Sequence, residues 1–240
     1  SSYGYDGAKY PFVSELMTHN NILFHLQSPL SIINNGLIII NTWNYYRVSF
    51  DKDWLINRGY PLMRKIIDFL TDAVTYDDVE KIYTFKDVVD LSGRESQKHN
   101  TVLNNVVKLA FSYFIEASYE LQAYVRDIWF DIYYTLPILS YSALDKGILK
   151  HDEDSQEEDS YKLLEILLLL RPYFSNPFND KNDFMGYFHK TESIKKNIDF
   201  YENKIKEGYE NHPLNLGILA LLYAIYGQFE ETAIEKYEVY

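Results

Sequence analysis

The chain has 240 residues, of which 47% are hydrophobic and 17% aromatic, enough to bury a sizeable core. Its formal net charge is −12, which disfavours nucleic acid and anionic membrane surfaces as partners. It contains no cysteine, so disulfides, thiol nucleophiles and Cys-based zinc sites are excluded.

Residues 1–28 read as irregular, punctuated by Gly4, Gly7, Pro11 and Pro29. From about Leu30 to Phe50 apolar positions cover most of a helical circumference, which predicts a helix buried on several sides. Asp51 and Asp53 suit an N-cap and first turn, ahead of a helix over about 54–74. Pro61 inside that span predicts a kink or a new first turn. Residues 75–95 look extended, with short strands at 82–85 and 88–89. The three-and-four spacing of Val102, Val106, Leu109, Ala110, Tyr113, Phe114 and Ala117 predicts a strong helix. A second helix is expected over 119–134, and further helices at about 158–171, 191–208, 213–226 and 229–240. Successive helices with few strands fit a stack of helical hairpins, either a toroid or an α-solenoid; periodicity does not separate the two. No apolar run reaches the roughly twenty residues of a membrane span.

Several features carry chemistry only weakly. The acidic block Asp152–Asp159 lacks the Gly turn and alternation of a calcium loop and reads as a solvated loop. His19 and His25 are not at the spacing of a helical metal pair, so no metal and no cofactor are expected. His99, close to Glu95, is a candidate for orienting a substrate hydroxyl. The 23 Tyr and 14 Phe suit a large core first and sugar stacking second. The chain starts Ser-Ser-Tyr without a signal-peptide pattern, as expected of a processed product or a fragment. The lack of cysteine and of Asn-x-Ser/Thr sequons leans towards an intracellular setting without fixing one.

One ordered set of segments is more specific. Gly7-Ala8-Lys9-Tyr10-Pro11-Phe12 is followed by Asn35-Gly36 at a helix start. Next come Gly93-Arg94-Glu95, then Asn100-Thr101-Val102-Leu103-Asn104 with Lys108, and finally Lys162-Leu163-Leu164-Glu165 leading to Pro172. In order and spacing these resemble the catalytic barrel of glycoside hydrolase family 65, the acid trehalases and disaccharide phosphorylases. The resemblance implies an all-α (α/α)6 toroid, incomplete in this chain, with residues 1–240 as a single barrel domain completed by another segment or chain. It implies inverting cleavage of an α-glucosidic bond in a disaccharide or oligosaccharide, by water or by phosphate. Glu95 would be the general acid, Tyr10, Phe12 and Trp43 would lie near the cleft, and Lys162 would contact substrate.

Departures from the family pattern bear on activity. Phe12 stands where the family has Trp, Val13 where Glu commonly follows, and the acid loop has lost its Pro-Asp-Glu-Tyr form. Leu163 and Leu164 replace Gln and Ala, and the family's general base is expected beyond the end of the chain. Inverting chemistry needs two carboxyls about 6.5–9.5 Å apart, and near the acid position only Glu95 and Asp90 are available. Arg94 would oppose the raised pKa an acid needs if it shared the pocket. Glu95 therefore has a second reading, as an exposed acid ahead of the next helix. The whole chain likewise has one, as a diverged, inactive barrel serving sugar binding or assembly.

Overall fold

The structure is a computed structural model that describes residues 7, 8, 10, 32–89, 95–138, 148–150, 191–206 and 213–226. The chain divides into two compact units, Ser1–Pro137 and Ile138–Tyr240.

In the first unit, helix α1 spans Ile33–Ser49 and buries Ile33, Asn35, Gly36, Ile39, Ile40, Thr42, Trp43 and Tyr46. It stops where Phe50 turns left-handed (φ 53°) and its N–H returns to the Tyr46 carbonyl. Asp51 then caps a short helix α2, Lys52–Trp54, accepting from the Trp54 N–H at 2.9 Å. A wide π-helical turn, Leu55–Gly59, joins it to α3, Tyr60–Ala73. Pro61 accounts for that turn, since its ring would collide with the carbonyl four residues back in a regular helix. Widening lets the Tyr60 N–H bond Leu55 instead, and the Asn57 amide group covers the Asp53 carbonyl at 2.8 Å.

The extended stretch becomes two antiparallel hairpins. Strands β1 (Thr75–Asp77) and β2 (Ile82–Thr84) pair Thr75 with Thr84 and Asp77 with Ile82. Strands β3 (Lys86–Val89) and β4 (Glu95–Lys98) pair Lys86 with Lys98 and Val89 with Glu95. The Asp77 carboxylate closes the first turn by accepting from the N–H groups of Val79 and Glu80.

Helix α4, Thr101–Glu120, is the hub of the unit. Asn100 caps it, accepting from Leu103 N–H at 2.8 Å, and 16 of its 20 residues are buried. The chain then turns through Gln122 (φ 54°) before helix α5, Asp127–Thr135. The expected helix over 119–134 therefore begins later. Leu121 and Val125 keep an apolar spacing, but the left-handed residue between them ends one helix before the next starts.

Side-chain pairings set the helix directions. Gly36 meets Val106 and Tyr46 meets Glu120, so α1 and α4 run parallel. Tyr60 stacks on Phe114, with 5.1 Å between ring centroids, and its hydroxyl lies 3.1 Å from Ser118 Oγ, which places the start of α3 against the last turns of α4. Asn104 Nδ2 donates to the Pro137 carbonyl at 2.8 Å, and Lys108 donates to the carbonyls of Tyr133 and Leu136, which places the end of α5 against the first turns of α4. Helices packed about a buried member form a partial α/α barrel arrangement.

In the second unit, α6 (Thr191–Lys206) and α7 (Pro213–Tyr226) bury Ile194, Ile198, Tyr201, Leu219, Leu222 and Tyr223. Both occupy the spans expected from sequence; the helices expected at 158–171 and 229–240 lie outside the described residues. Among the described residues no helix is long and apolar enough to cross a membrane.

Candidate functional site

The segment Gly7–Tyr10 is docked, and its residue types explain how. Gly7 has φ +91°, and a Cβ there would lie 2.3 Å from the Lys65 carbonyl oxygen. Only glycine tolerates both the backbone angle and the approach. The next N–H, of Ala8, donates to that same oxygen at 2.9 Å. Tyr10 N–H donates to Asn35 Oδ1 at 2.8 Å, and Asn35 Nδ2 turns back to the Ile32 carbonyl at 3.1 Å. Asn35 is fully buried at the first turn of α1, so its amide works as a two-sided clasp. Gly36 beside it would place a Cβ 2.7 Å from Val106 Cγ1, which explains the close approach of α1 and α4. The Asn35-Gly36 pair thus holds one element with its side chain and admits another by lacking one.

Glu95 opens β4 opposite Val89. That strand feeds into His99, a buried residue held at φ 57°. Its Nδ1 lies 3.2 Å from Thr84 Oγ1 and its Nε2 lies 3.1 Å from Glu80 Oε2. Both ring nitrogens are engaged by the first hairpin, so His99 ties that hairpin to the start of α4 and does not face a ligand. The adjoining Asn100, Thr101, Asn104 and Asn105 form a buried polar layer. Within it, Asn104 Oδ1 and Asn105 Nδ2 have no hydrogen-bond partner among the described residues. Lys108, one turn further on, is spent on the carbonyls that end α5.

Trp43 lies between α1 and α4 and is 5% exposed. Its Nε1 donates to Glu116 Oε2 at 2.8 Å, and its ring stacks on Tyr46. Burial pushes the Glu116 carboxyl up from the usual range, while the indole donor and Arg47 pull it back. One turn on, the Tyr46 hydroxyl and the Lys52 ammonium hold the Glu120 carboxyl below its usual range. Of the sequence-derived candidates, Tyr10 is half-buried and pinned through its backbone, and Trp43 is part of the helix interface. Phe12 and Lys162 lie outside the described residues.

A polar cleft of about 570 Å³ opens beside Gly7, lined by Gly7, Asp68, Thr71, Asp72, Arg126 and Ile128. Arg64 Nε bonds both Asp68 oxygens at 3.0 and 3.1 Å, and Arg126 stands 3.9 Å from the same carboxylate. The guanidinium groups of Arg64 and Arg126 both lie over the ring of Trp129, at 4.9 and 5.7 Å. Nothing local marked this arrangement in the sequence, because Asp68 and Arg126 come together only when α3 meets α5.

The second unit contains one more buried carboxylate that sequence reading missed. Glu202, 9% exposed, accepts a hydrogen bond from the Tyr223 hydroxyl across the α6–α7 interface. Burial first, and then Glu202, drive the Tyr223 hydroxyl well above the ordinary tyrosine range. On the same helix, Asn197 and Tyr201 hold both backbone groups of Leu149, at 2.8 and 2.6 Å. Their spacing of four places them on one helical face, which is the only signal that could have paired them in advance.

No protein-family model matches the chain. Its helical fold is shared with a solved structure described as a kojibiose phosphorylase from the human microbiome. That likeness has a TM-score of 0.63 at 13% identity and covers 88% of this chain and 31% of the other. In sequence it is similar to a kojibiose hydrolase of Flavobacterium johnsoniae, 25% identical over 224 residues, and to one of Mucilaginibacter mallensis, 24% identical over 234 residues. A protein-glucosylgalactosylhydroxylysine glucosidase of Dictyostelium discoideum is 26% identical over 155 residues, or 60% of this chain. The chain is a distant relative of the kojibiose hydrolases, in line with the resemblance read from its segments. It spans 30% and 32% of the length of the two hydrolases.

Proposed function

We propose that the chain is part of a carbohydrate-active barrel that cleaves an α-glucosidic bond in a disaccharide, with inversion. Glu95 would donate the proton to the glycosidic oxygen while water or phosphate attacks from the opposite side. Kojibiose and trehalose are the first substrates to try, given the kojibiose hydrolases among its relatives and the trehalase-like segments it resembles. The observation that supports this reading most is the clasp between Asn35 and Tyr10. It fixes the Gly7–Tyr10 segment to the first turn of α1, and α1 and α4 start at the same end, close after the strand that Glu95 opens. The relatives are about three times longer, so the proposed activity belongs to the chain together with the segments or partner that complete the barrel.

A second reading, a non-catalytic barrel used for sugar binding or assembly, is favoured by Trp43. Its indole is committed to Glu116 between two helices and offers no face to a sugar. The decisive assay incubates the chain, within the longest protein that contains it, with kojibiose and with trehalose, each with and without inorganic phosphate. Glucose or glucose 1-phosphate release that falls at least about 100-fold in Glu95→Gln supports catalysis at Glu95. Equal release by Glu95→Gln removes Glu95 from the mechanism, and no release from the unaltered protein leaves the binding reading.

A further inference from the structure

The cleft beside Gly7 is built for a ligand that the catalytic proposal does not use. Arg126 is 43% exposed at its side chain and backed by the face of Trp129, which fixes the plane of its guanidinium. Its nearest carboxylate, Asp68, stands at 3.9 Å, too far for a hydrogen bond, and is already forked by Arg64. No hydrogen bond from the Arg126 guanidinium is made to any described residue, so its donors are held in place and open to a ligand.

Across the cleft, Thr71 Oγ1 gives its proton to the Ile67 carbonyl at 2.7 Å and so presents lone pairs only. Asp72 adds a carboxylate, whose two oxygens offer more acceptor sites than any one partner fills. Gly7 and Ile128 supply surface without further polar side chains. The described lining sets one guanidinium, Arg126, beside the carboxylates of Asp68 and Asp72, so donors and acceptors face the same space. Its volume of about 570 Å³ lies in the range of small-molecule sites.

We propose that this cleft binds a neutral polyhydroxylated ligand, a monosaccharide or one sugar unit of a glycan. Adjacent hydroxyls accept from Arg126 and donate to Asp72 and Thr71. An anion would meet two carboxylates, and a cation would meet a guanidinium already in place; a diol uses both kinds of group at once. The described lining lies within the Ser1–Pro137 unit and does not include Glu95, so loss of the catalytic proposal leaves the site standing.

The test is a titration of the whole chain with D-glucose, followed by saturation-transfer NMR, with inorganic phosphate as the contrasting probe. Saturable binding on the order of 10 mM is expected for a ligand of this size. Arg126→Lys keeps a cation near Trp129 but removes the planar fork, and should weaken glucose binding by at least about fivefold. Thr71→Val keeps the shape of its side chain and should weaken it by about threefold, which secures the test if the arginine variant is destabilised. Absence of saturation, unchanged binding in both variants, or binding of phosphate in place of glucose would each overturn the proposal.

Discussion

Trp43 Nε1 and Glu116 Oε2, separated by 73 residues in the chain, are joined by a 2.8 Å hydrogen bond that ties α1 to α4. Trp43→Phe removes the donor and leaves a half-buried carboxylate unpaired, at a cost of about 2 kcal/mol. The cost should depend on pH. Burial already raises the Glu116 carboxyl in the folded state, and loss of the indole donor raises it further. A raised carboxyl contributes stability below its unfolded pKa that is lost as pH rises through its folded pKa. Urea denaturation should therefore show a larger deficit for the variant at pH 7.5 than at about pH 4, below the ordinary glutamate value. A deficit independent of pH would mean that lost packing, not the unpaired charge, is responsible.

Gly36 is a helical glycine whose replacement should destabilise despite better propensity. Alanine gains about 1 kcal/mol in intrinsic helix preference. Against this, its Cβ would stand 2.7 Å from Val106 Cγ1 and 3.3 Å from the Val106 carbonyl oxygen. Overpacking of that kind costs about 1–3 kcal/mol, and valine, stiff at χ1, has no easy retreat. Gly36→Ala is expected to melt lower than the parent, and the double variant Gly36→Ala with Val106→Ala should recover part of the loss.

Asn35→Leu tests the clasp on Tyr10. The substitution keeps volume but strands the Tyr10 N–H that Asn35 accepts at 2.8 Å. Hydrogen exchange at Tyr10 should accelerate at least tenfold, while amides in the middle of α4 stay protected. Equal acceleration in α4 would show that the clasp supports the whole unit and not one segment.

In the second unit, Tyr223 and Glu202 predict alkaline sensitivity. The folded state keeps the Tyr223 proton well above pH 10, where an ordinary tyrosine loses it. Stability from this group is therefore fully present below pH 10 and declines as the pH climbs past it. Tyr223→Phe should flatten that decline, and should cost about 1 kcal/mol at neutral pH by removing one hydrogen-bond donor from the buried Glu202. Thermal melts between pH 8 and 11 compare the two proteins directly.

What was legible in the sequence was local. Asp51 cap chemistry and the apolar spacing of Val102 to Ala117 depend on residues a few positions apart, and the structure carries the corresponding cap and helix. The hairpins were legible as extended chain, but not in their register, which depends on turns lacking a diagnostic Asn-Gly or Asp-Gly pair. The break at Gln122 escaped because the left-handed position that ends α4 carries glutamine where glycine would have announced it. Trp43–Glu116 and Asp68–Arg126 span long stretches of chain, and Glu202 reads like any surface acid until α7 covers it. For the site, the resemblance named segments and their order. The physical reasons for Gly7, Asn35 and Gly36 came only with the neighbours that crowd them.

The wide turn at Leu55–Gly59 makes the chain's length and its proline interdependent. Compared with a regular helix, the turn accommodates one surplus residue, and that surplus keeps the Pro61 ring clear of the preceding carbonyl. Deleting Ile56 alone would rewind the run, turn Trp54 by about 100° away from Gly59, and force the proline into the strain it now avoids. Deleting Ile56 together with Pro61→Ala would meet no such obstacle. The deletion is thus deleterious while the proline remains and tolerable once it is gone, so the surplus residue can be removed only after Pro61 has been replaced.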